Sequence, residues 1–313
     1  MKLAFLYAGQ GTQHPGMGAD LYEKYPAFRQ IYDNAALPFD IKELCFTDLE
    51  NKLNQTRFTQ PAMVAFAAGA TAVLREKGIR PDCAAGLSLG EYSALHAAGV
   101  LDAQTAIELV AFRGKAMEEA AGGRETAMAA VLQLERKELE IACAEASDLG
   151  VVELANFNCP GQIVIGGDKA AVEKACELAK SAGARRCIPL KVSGPFHTSL
   201  MAPAGQALKN RFQKVDWGNM ELPVYFNCTG RPLGIEESIP ELLERQVQSS
   251  VYLEDTIRNM AADGVDSVVE IGPGRALSAF VRKIVPGITV HAVETVEEME
   301  AVTAALEGRQ VWS

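Results

Sequence analysis

Cys83-Ala84-Ala85-Gly86-Leu87-Ser88-Leu89-Gly90-Glu91-Tyr92-Ser93-Ala94-Leu95 carries a short apolar run straight into a Gly-x-Ser-x-Gly turn and then into a helix-forming stretch. We read a strand over 83–86, a tight turn, and a helix to about 98. A turn this tight has no room for bulky side chains at its two glycines. It lifts Ser88 above the end of a sheet, at the N-terminus of the following helix, where the Leu89 N–H faces the place an oxyanion would form and the helix dipole adds positive potential. Two readings stand at this point: Ser88 as a nucleophile, or Ser88 as the N-cap of the next helix.

Working outward, a strand is expected at 2–8, followed by a Gly-rich loop from Gly9 to Gly18 and helical segments to about 77. Asp102 is placed to cap a helix running to about 121, whose apolar stripe is Ala103, Ala106, Ile107, Val110 and Met117. After Gly122-Gly123 the pattern changes to strand 128–134, helix 137–146, strand 151–156, strand 162–166, helix 170–182 and strand 186–192. That β-α-β-β-α-β order is ferredoxin-like and complete in itself. Alternation of helices and strands then resumes, with a buried strand at 268–271 ending in Gly272-Pro273-Gly274. The fold class is therefore α/β: a core of 1–124 and 194–313 with a mostly parallel sheet, and an inserted subdomain at 125–193.

The chain has 313 residues, which suits one large domain or a domain with an insert. A net charge of −10 argues against a broad nucleic-acid surface, while leaving room for one local basic patch. Seven cysteines without a Cys-x-x-Cys spacing read as reduced thiols in a cytoplasmic protein, not as a disulfide framework or zinc knuckle. The apolar stretch 61–74 is too short to span a bilayer and reads as a buried helix. The N-terminal apolar run continues into Gly9-Gln10-Gly11 and reads as a first strand, not as a signal peptide. No His-Glu-x-x-His and no His/Cys/Asp cluster with metal spacing is present, and neither a Walker loop nor a completed dinucleotide fingerprint follows the first strand.

A serine nucleophile needs a base, and there are four histidines: His14, His96, His197 and His291. His14 lies in the Gly-rich loop, His96 on a helix, and His291 in an apolar strand where a core role fits. His197 follows Ser193-Gly194-Pro195-Phe196, a turn after an expected strand, and comes well after the serine. Arg113, at the edge of an apolar helix stripe, is expensive there unless paired. It reads either as a structural salt bridge or as a bidentate clamp for a substrate carboxylate. Gly9-Gln10-Gly11 offers backbone N–H groups, from which Gln10 could supply a second oxyanion donor.

Together these segments resemble one family: the malonyl-CoA:acyl carrier protein transacylases of fatty-acid synthesis, with the acyltransferase domains of polyketide synthases as kin. The resemblance rests on Gly9-Gln10-Gly11-Thr12-Gln13, Thr59-Gln60-Pro61-Ala62, Gly86 to Leu95, Arg113-Gly114-Lys115-Ala116-Met117, Asn156-Phe157-Asn158-Cys159-Pro160-Gly161-Gln162, Gly194-Pro195-Phe196-His197 and Glu270-Ile271-Gly272-Pro273-Gly274, in family order. It implies an α/β-hydrolase-like core with a ferredoxin-like insert. It implies Ser88 as nucleophile, His197 as base, the backbone carbonyl of Gln246 as the group that orients the histidine, and the N–H groups of Gln10 and Leu89 as the oxyanion hole. It turns Arg113 from salt bridge to malonyl clamp, and puts Gln60, Met117, Asn156, Asn158, Gln162 and Phe196 near the substrate.

The Phe196-His197 pair and the aliphatic Leu89 resemble malonyl-selective members; methylmalonyl-selective kin carry Ser before the histidine and Gln after the serine. One departure stands out: the family usually has His before the nucleophile, and this chain has Leu87. The function so implied is transfer of malonyl from malonyl-CoA, through acyl-Ser88, to the phosphopantetheine thiol of acyl carrier protein, with no cofactor, no metal, no membrane and a monomeric enzyme. The alternatives are a thioester hydrolase using the same Ser88 and His197, and a decayed scaffold that binds carrier protein. Carrier proteins are acidic, so docking is expected on a local basic cluster drawn from Lys115, Arg185, Arg186 and Lys191.

Overall fold

The computed structural model describes residues 1–308; the last five positions of the expected core segment lie outside the described residues. The strands are β1 (Leu3–Tyr7), β2 (Cys83–Gly86), β3 (Thr126–Leu132), β4 (Val152–Cys159), β5 (Gln162–Asp168), β6 (Arg186–Pro189), β7 (Val224–Phe226), β8 (Arg231–Pro232), β9 (Val251–Tyr252), β10 (Ser267–Ile271) and β11 (Thr289–Val293).

The larger sheet has the order β11-β10-β1-β2-β7-β8. It is parallel except for β8, which pairs antiparallel with β7. All five residues of β1 are buried, as a sheet covered on both faces requires. Leu3, Phe5 and Tyr7 face a core built with the helices Thr56–Glu76 and Ala103–Ala121. Ala4 and Leu6 face a second apolar layer with Ile257, Met260, Leu277 and Val281 from the helices Leu253–Ala262 and Ala276–Ile284. The Ala103–Ala121 helix starts as expected, with Asp102 Oδ1 accepting from the Thr105 N–H at 2.7 Å.

The smaller sheet has the order β6-β3-β5-β4-β9, and its first four strands pair antiparallel, the ferredoxin-like arrangement. Ala129, Val131, Leu139, Ile163, Ile165 and Val172 give it an apolar core of its own. β3 lies two residues earlier than expected and β5 runs two residues longer, and three further details differ from the sequence reading. β9, from the other segment of the chain, pairs parallel with β4 and adds a fifth strand. β4 runs to Cys159, past 156, because register shifts at Leu154/Asn156 and Phe157/Cys159 let it bend while staying paired. β6 stops at Pro189, which has no N–H to continue the ladder, so 190–192 leave the sheet after one last bond from the Leu190 N–H to the Met128 carbonyl.

The turn after β2 depends on two glycines for space. A Cβ on Gly86 would lie 2.1 Å from Gly90 C and O, and one on Gly90 would lie 2.5 Å from the Tyr7 carbonyl oxygen. These contacts are backbone against backbone and cannot relax by a side-chain rotation. Gly86→Ala should therefore cost about 3 kcal/mol or more. Thermal denaturation should show a fall of at least about 4 °C, whereas Gly287→Ala, which meets nothing within 4 Å, should stay within about 0.5 kcal/mol of the parent.

Candidate active site

The carboxyl ends of β1 and β2 open together, as ligand sites do in open α/β sheets. Gln10 follows β1 and Ser88 follows β2. Ser88 has φ 54°, the left-handed region, which for a non-glycine residue is strained and is held here by its surroundings. Its hydroxyl does not cap the next helix: the N-cap position of Gly90–Ala97 is Leu89, without a side-chain cap bond. Instead Ser88 Oγ lies 2.7 Å from His197 Nε2. His197 Nδ1 is 2.9 Å from the backbone oxygen of Gln246, so Nδ1 carries the proton and Nε2 is left free to accept one from the serine.

The other three histidines are elsewhere. His14 Nε2 pairs with Glu294 at 2.7 Å, His96 Nδ1 meets the Leu101 carbonyl at 3.0 Å, and His291 is half-buried on β11. His197 itself is 4% exposed. Burial first, and then the neighbouring Arg113 cation, disfavour its charged form and lower its pKa to about 4.

Arg113 is 1% exposed. Nη1 donates to Gln60 Oε1 at 2.8 Å, and Nη2 donates to Gln246 Oε1 at 2.9 Å and to Ser88 Oγ at 3.1 Å. No ion pair of Arg113 occurs among the described residues, so the salt-bridge reading fails, and Nε finds no acceptor. Gly114 makes this possible: a Cβ there would come within 2.8 Å of Arg57 Cα and the Thr56 carbonyl oxygen, so its absence lets the Ala103–Ala121 helix touch Thr56–Glu76 and brings Gln60 to the guanidinium.

A cavity of about 470 Å³ opens beside the serine. Its walls include Gln10, Leu87, Ser88, Asn156, Asn158, Phe196 and His197, with Met128, Val164, Leu190 and Val192 making much of the rest apolar. Asn156 and Asn158 of β4 both turn to this cavity, Asn158 at the second register shift of the strand. Asn158 Oδ1 is buried without a hydrogen-bond partner. The backbone N–H groups of Gln10 and Leu89 likewise donate to no acceptor among the described residues. Leu87 lines the cavity and lies against Gly9, where a Cβ would be 3.0 Å from Leu87 Cγ.

Four expected substrate contacts, Arg113, Gln60, Met117 and Gln162, do not line the cavity. Arg113 reaches its edge through Ser88 Oγ, with Gln60 behind it. Met117 is buried in the core, its Sδ accepting from Gln60 Nε2 at 3.3 Å, so it touches a ligand of Arg113 instead. Gln162 begins β5 beside Cys159, where its side chain meets the Cys159 thiol. Of the basic cluster, Lys191 is at the cavity wall, while Arg186 opens β6, five residues earlier, and does not line the cavity. Arg185 precedes it, and Lys115 pairs with Glu119 at 3.7 Å.

Sequence reasoning missed Asn227, Glu91 and the side chain of Gln246. Asn227 Oδ1 accepts from the Ser88 N–H at 2.6 Å, and Nδ2 donates to the Gly86 carbonyl at 2.7 Å. Glu91 Oε2 accepts from the Asn227 N–H at 2.6 Å, and burial pushes the Glu91 carboxyl up to about 8. Gln246 Nε2 donates to the Ser88 carbonyl at 2.8 Å. Only Glu91 left a trace in the sequence: a carboxylate one residue into a helix whose next turns are otherwise suited to burial.

The arrangement can deprotonate a serine, hold an oxyanion on two amides and meet an anionic acyl group with a buried cation. The model of the acyl transferase domain matches residues 4–304. The chain is 41% identical over 309 residues to the malonyl CoA-acyl carrier protein transacylase of Bacillus subtilis, covering 98% of each chain. Among solved structures it resembles MCAT from Streptococcus pneumoniae, with 46% identity, a TM-score of 0.93 and coverage of 97% and 100%. It also resembles a malonyl-transacylase in complex with a type II PKS acyl-carrier protein, with 37% identity, a TM-score of 0.94 and coverage of 97% and 100%.

With His197 held near 4 rather than 6.5, the neutral base is present throughout the neutral range. Ser88 labelling by a fluorophosphonate should be nearly flat down to about pH 5.5 and should fall only as pH approaches 4. Arg113→Ala removes one of the two causes, so its acid limb should move upward while staying below 6.5. A stopped pH series read by intact mass measures both.

Proposed function

The chain belongs to the acyl transferase family, and we propose that it moves a malonyl group from malonyl-CoA, through acyl-Ser88, to the phosphopantetheine thiol of acyl carrier protein in fatty-acid or polyketide synthesis. The observation that carries this reading is the buried Arg113 guanidinium, 3.1 Å from the Ser88 hydroxyl and bound only to neutral oxygens. A buried cation with no ion pair is costly, and the one carboxyl that feels its field, Glu91, is itself pushed up to about 8 by burial, which favours its neutral form. An acyl chain ending in a carboxylate supplies the missing charge at the place where the acyl-enzyme forms.

His197 takes the Ser88 proton as Oγ attacks the thioester carbonyl. The N–H groups of Gln10 and Leu89 receive the oxyanion. The tetrahedral intermediate collapses with departure of CoA, and the carrier thiol then attacks malonyl-Ser88 with His197 again as base. A carbonyl in place of a carboxylate behind the histidine gives a less stabilised imidazolium. That suits a thioester, whose thiol leaving group needs far less protonation than an amine. Neither reactant calls for a cofactor.

The hydrolase alternative draws no support from the relatives, which are named transacylases. The apolar side of the cavity, Leu87, Met128, Val164, Leu190, Val192 and Phe196, favours a thiol arm over bulk water. Of the substrate contacts expected from sequence, Gln60 holds the clamp, and Asn156, Asn158 and Phe196 face the acyl or pantetheine chain. Leu87 gives the cavity an apolar wall where the family usually has an imidazole. Lys191 at the rim is the best placed of the four expected basic residues to meet an acidic carrier. We assign 125–193 as the insert, and place the enzyme in the cytoplasm as a monomer. No helix among the described residues is long and apolar enough to cross a membrane, and all seven cysteines are free thiols.

Intact-mass measurement tests the reading. Malonyl-CoA should add one malonyl group, absent in Ser88→Ala, and holo acyl carrier protein should then remove it to itself; loss to water with the carrier left unloaded would mean a hydrolase. Arg113→Ala should lower malonyl acylation by roughly 10- to 100-fold while sparing acetyl acylation, the scale of a charged hydrogen-bond pair. Equal losses for both acyl groups would remove the clamp.

A further inference from the structure

The ladder between β2 and β7 runs in register through Ala84↔Val224 and Ala85↔Tyr225. Continued by two residues it would set Leu87 opposite Asn227. In a parallel ladder the residue opposite Leu87 would donate to the carbonyl of residue 86 and accept from the N–H of residue 88. Those two groups are bonded, but by the Asn227 carboxamide: Nδ2 to the Gly86 carbonyl at 2.7 Å, and Oδ1 from the Ser88 N–H at 2.6 Å.

The Asn227 main chain has been turned away. Its carbonyl accepts from the Tyr252 N–H of β9 at 2.8 Å, and its N–H goes to Glu91 Oε2 at 2.6 Å. The remaining peptide groups of the turn are also paired. Leu87 N–H reaches the Tyr7 carbonyl at 3.0 Å, Gly90 N–H the Leu87 carbonyl at 2.9 Å, and Glu91 N–H the Ser88 carbonyl at 3.1 Å. The Leu89 N–H is the one left over.

We propose that Asn227 and Glu91 are positioning residues for the nucleophile: the Asn227 carboxamide extends the β2–β7 ladder under Ser88 and holds its left-handed backbone, and the Glu91 carboxyl holds the Asn227 main chain so that the carboxamide can reach. Neither touches the substrate. Their effect is on where Oγ sits relative to His197 and on which way the Leu89 N–H points. The proposal rests on Ser88 being the nucleophile, but not on malonyl being the acyl group.

The test is the rate of Ser88 labelling by a fluorophosphonate in the full-length protein, per folded molecule as counted by cooperative thermal unfolding. Asn227→Ala should label about 100-fold more slowly, the scale of a nucleophile misplaced by about an ångström. Asn227→Asp keeps the acceptor for the Ser88 N–H but sets a carboxylate oxygen against the Gly86 carbonyl. Burial raises its carboxyl as it raises that of Glu91, so the variant should be slow at pH 10 and should recover relative to the parent as pH falls towards 6, where the protonated acid donates again. Glu91→Gln keeps an oxygen for the Asn227 N–H and should restore most of the rate lost in Glu91→Ala.

If the alanine variants do not fold, the two conservative variants decide. Parental labelling in Asn227→Asp at every pH, or a Glu91→Gln rate no better than that of Glu91→Ala, overturns the proposal. A parent protein that takes no label at Ser88 overturns the nucleophile reading itself, whereas a labelled parent that ignores malonyl-CoA removes only the acyl assignment.

Discussion

Everything in the site hangs on the closeness of two peptide planes. The chain leaving β2 reverses so sharply that Gly86 and Gly90 touch backbone to backbone and Gly90 rests on the Tyr7 carbonyl of β1. Because nothing separates turn from sheet, the serine between those glycines inherits the rigidity of two central strands. Its positive φ is strained, and the neighbouring hydrogen bonds keep it from relaxing. The Gln10 loop leaves β1, the parallel neighbour of β2, so the two amides proposed for the oxyanion follow directly from adjacent strands.

Arg113 is the second constraint, and it works through what is missing. Gln60 and Gln246 orient the guanidinium with carbonyl oxygens that bring no net charge. A carboxylate in either place would give the stable buried pair that the sequence reading also entertained, and would leave nothing for a substrate to neutralise. The same uncompensated charge helps to keep His197 neutral. In the proposed reading, acyl selectivity and readiness of the base thus share an electrostatic origin.

The parts of the molecule governed by local rules were legible from sequence. The strand 83–86, the Asp102 cap and the order of the inserted unit follow from short-range pattern, and the structure has them within a few residues. The Ser88–His197 pairing needed the resemblance as well as the pattern, since four histidines competed. What escaped depends on long-range placement. Asn227 is an unremarked polar residue after a three-residue strand until the register with β2 puts it under the serine. Met117 and Gln162 were drawn in by their neighbours in the family's motifs, yet helix and strand geometry turn them to a core and to a strand end. β9 could not be foreseen because two residues carry no periodicity.

Gln246 uses its two ends for different partners. Its main-chain oxygen orients His197, while its carboxamide bridges Arg113 and the Ser88 carbonyl. Any amino acid at position 246 brings that same oxygen, so selection can see only the carboxamide. The proposed third member of the catalytic set is thereby written into the path of the chain instead of the identity of a residue. Drift in sequence cannot delete it, and only a shift of the backbone around residue 246 could.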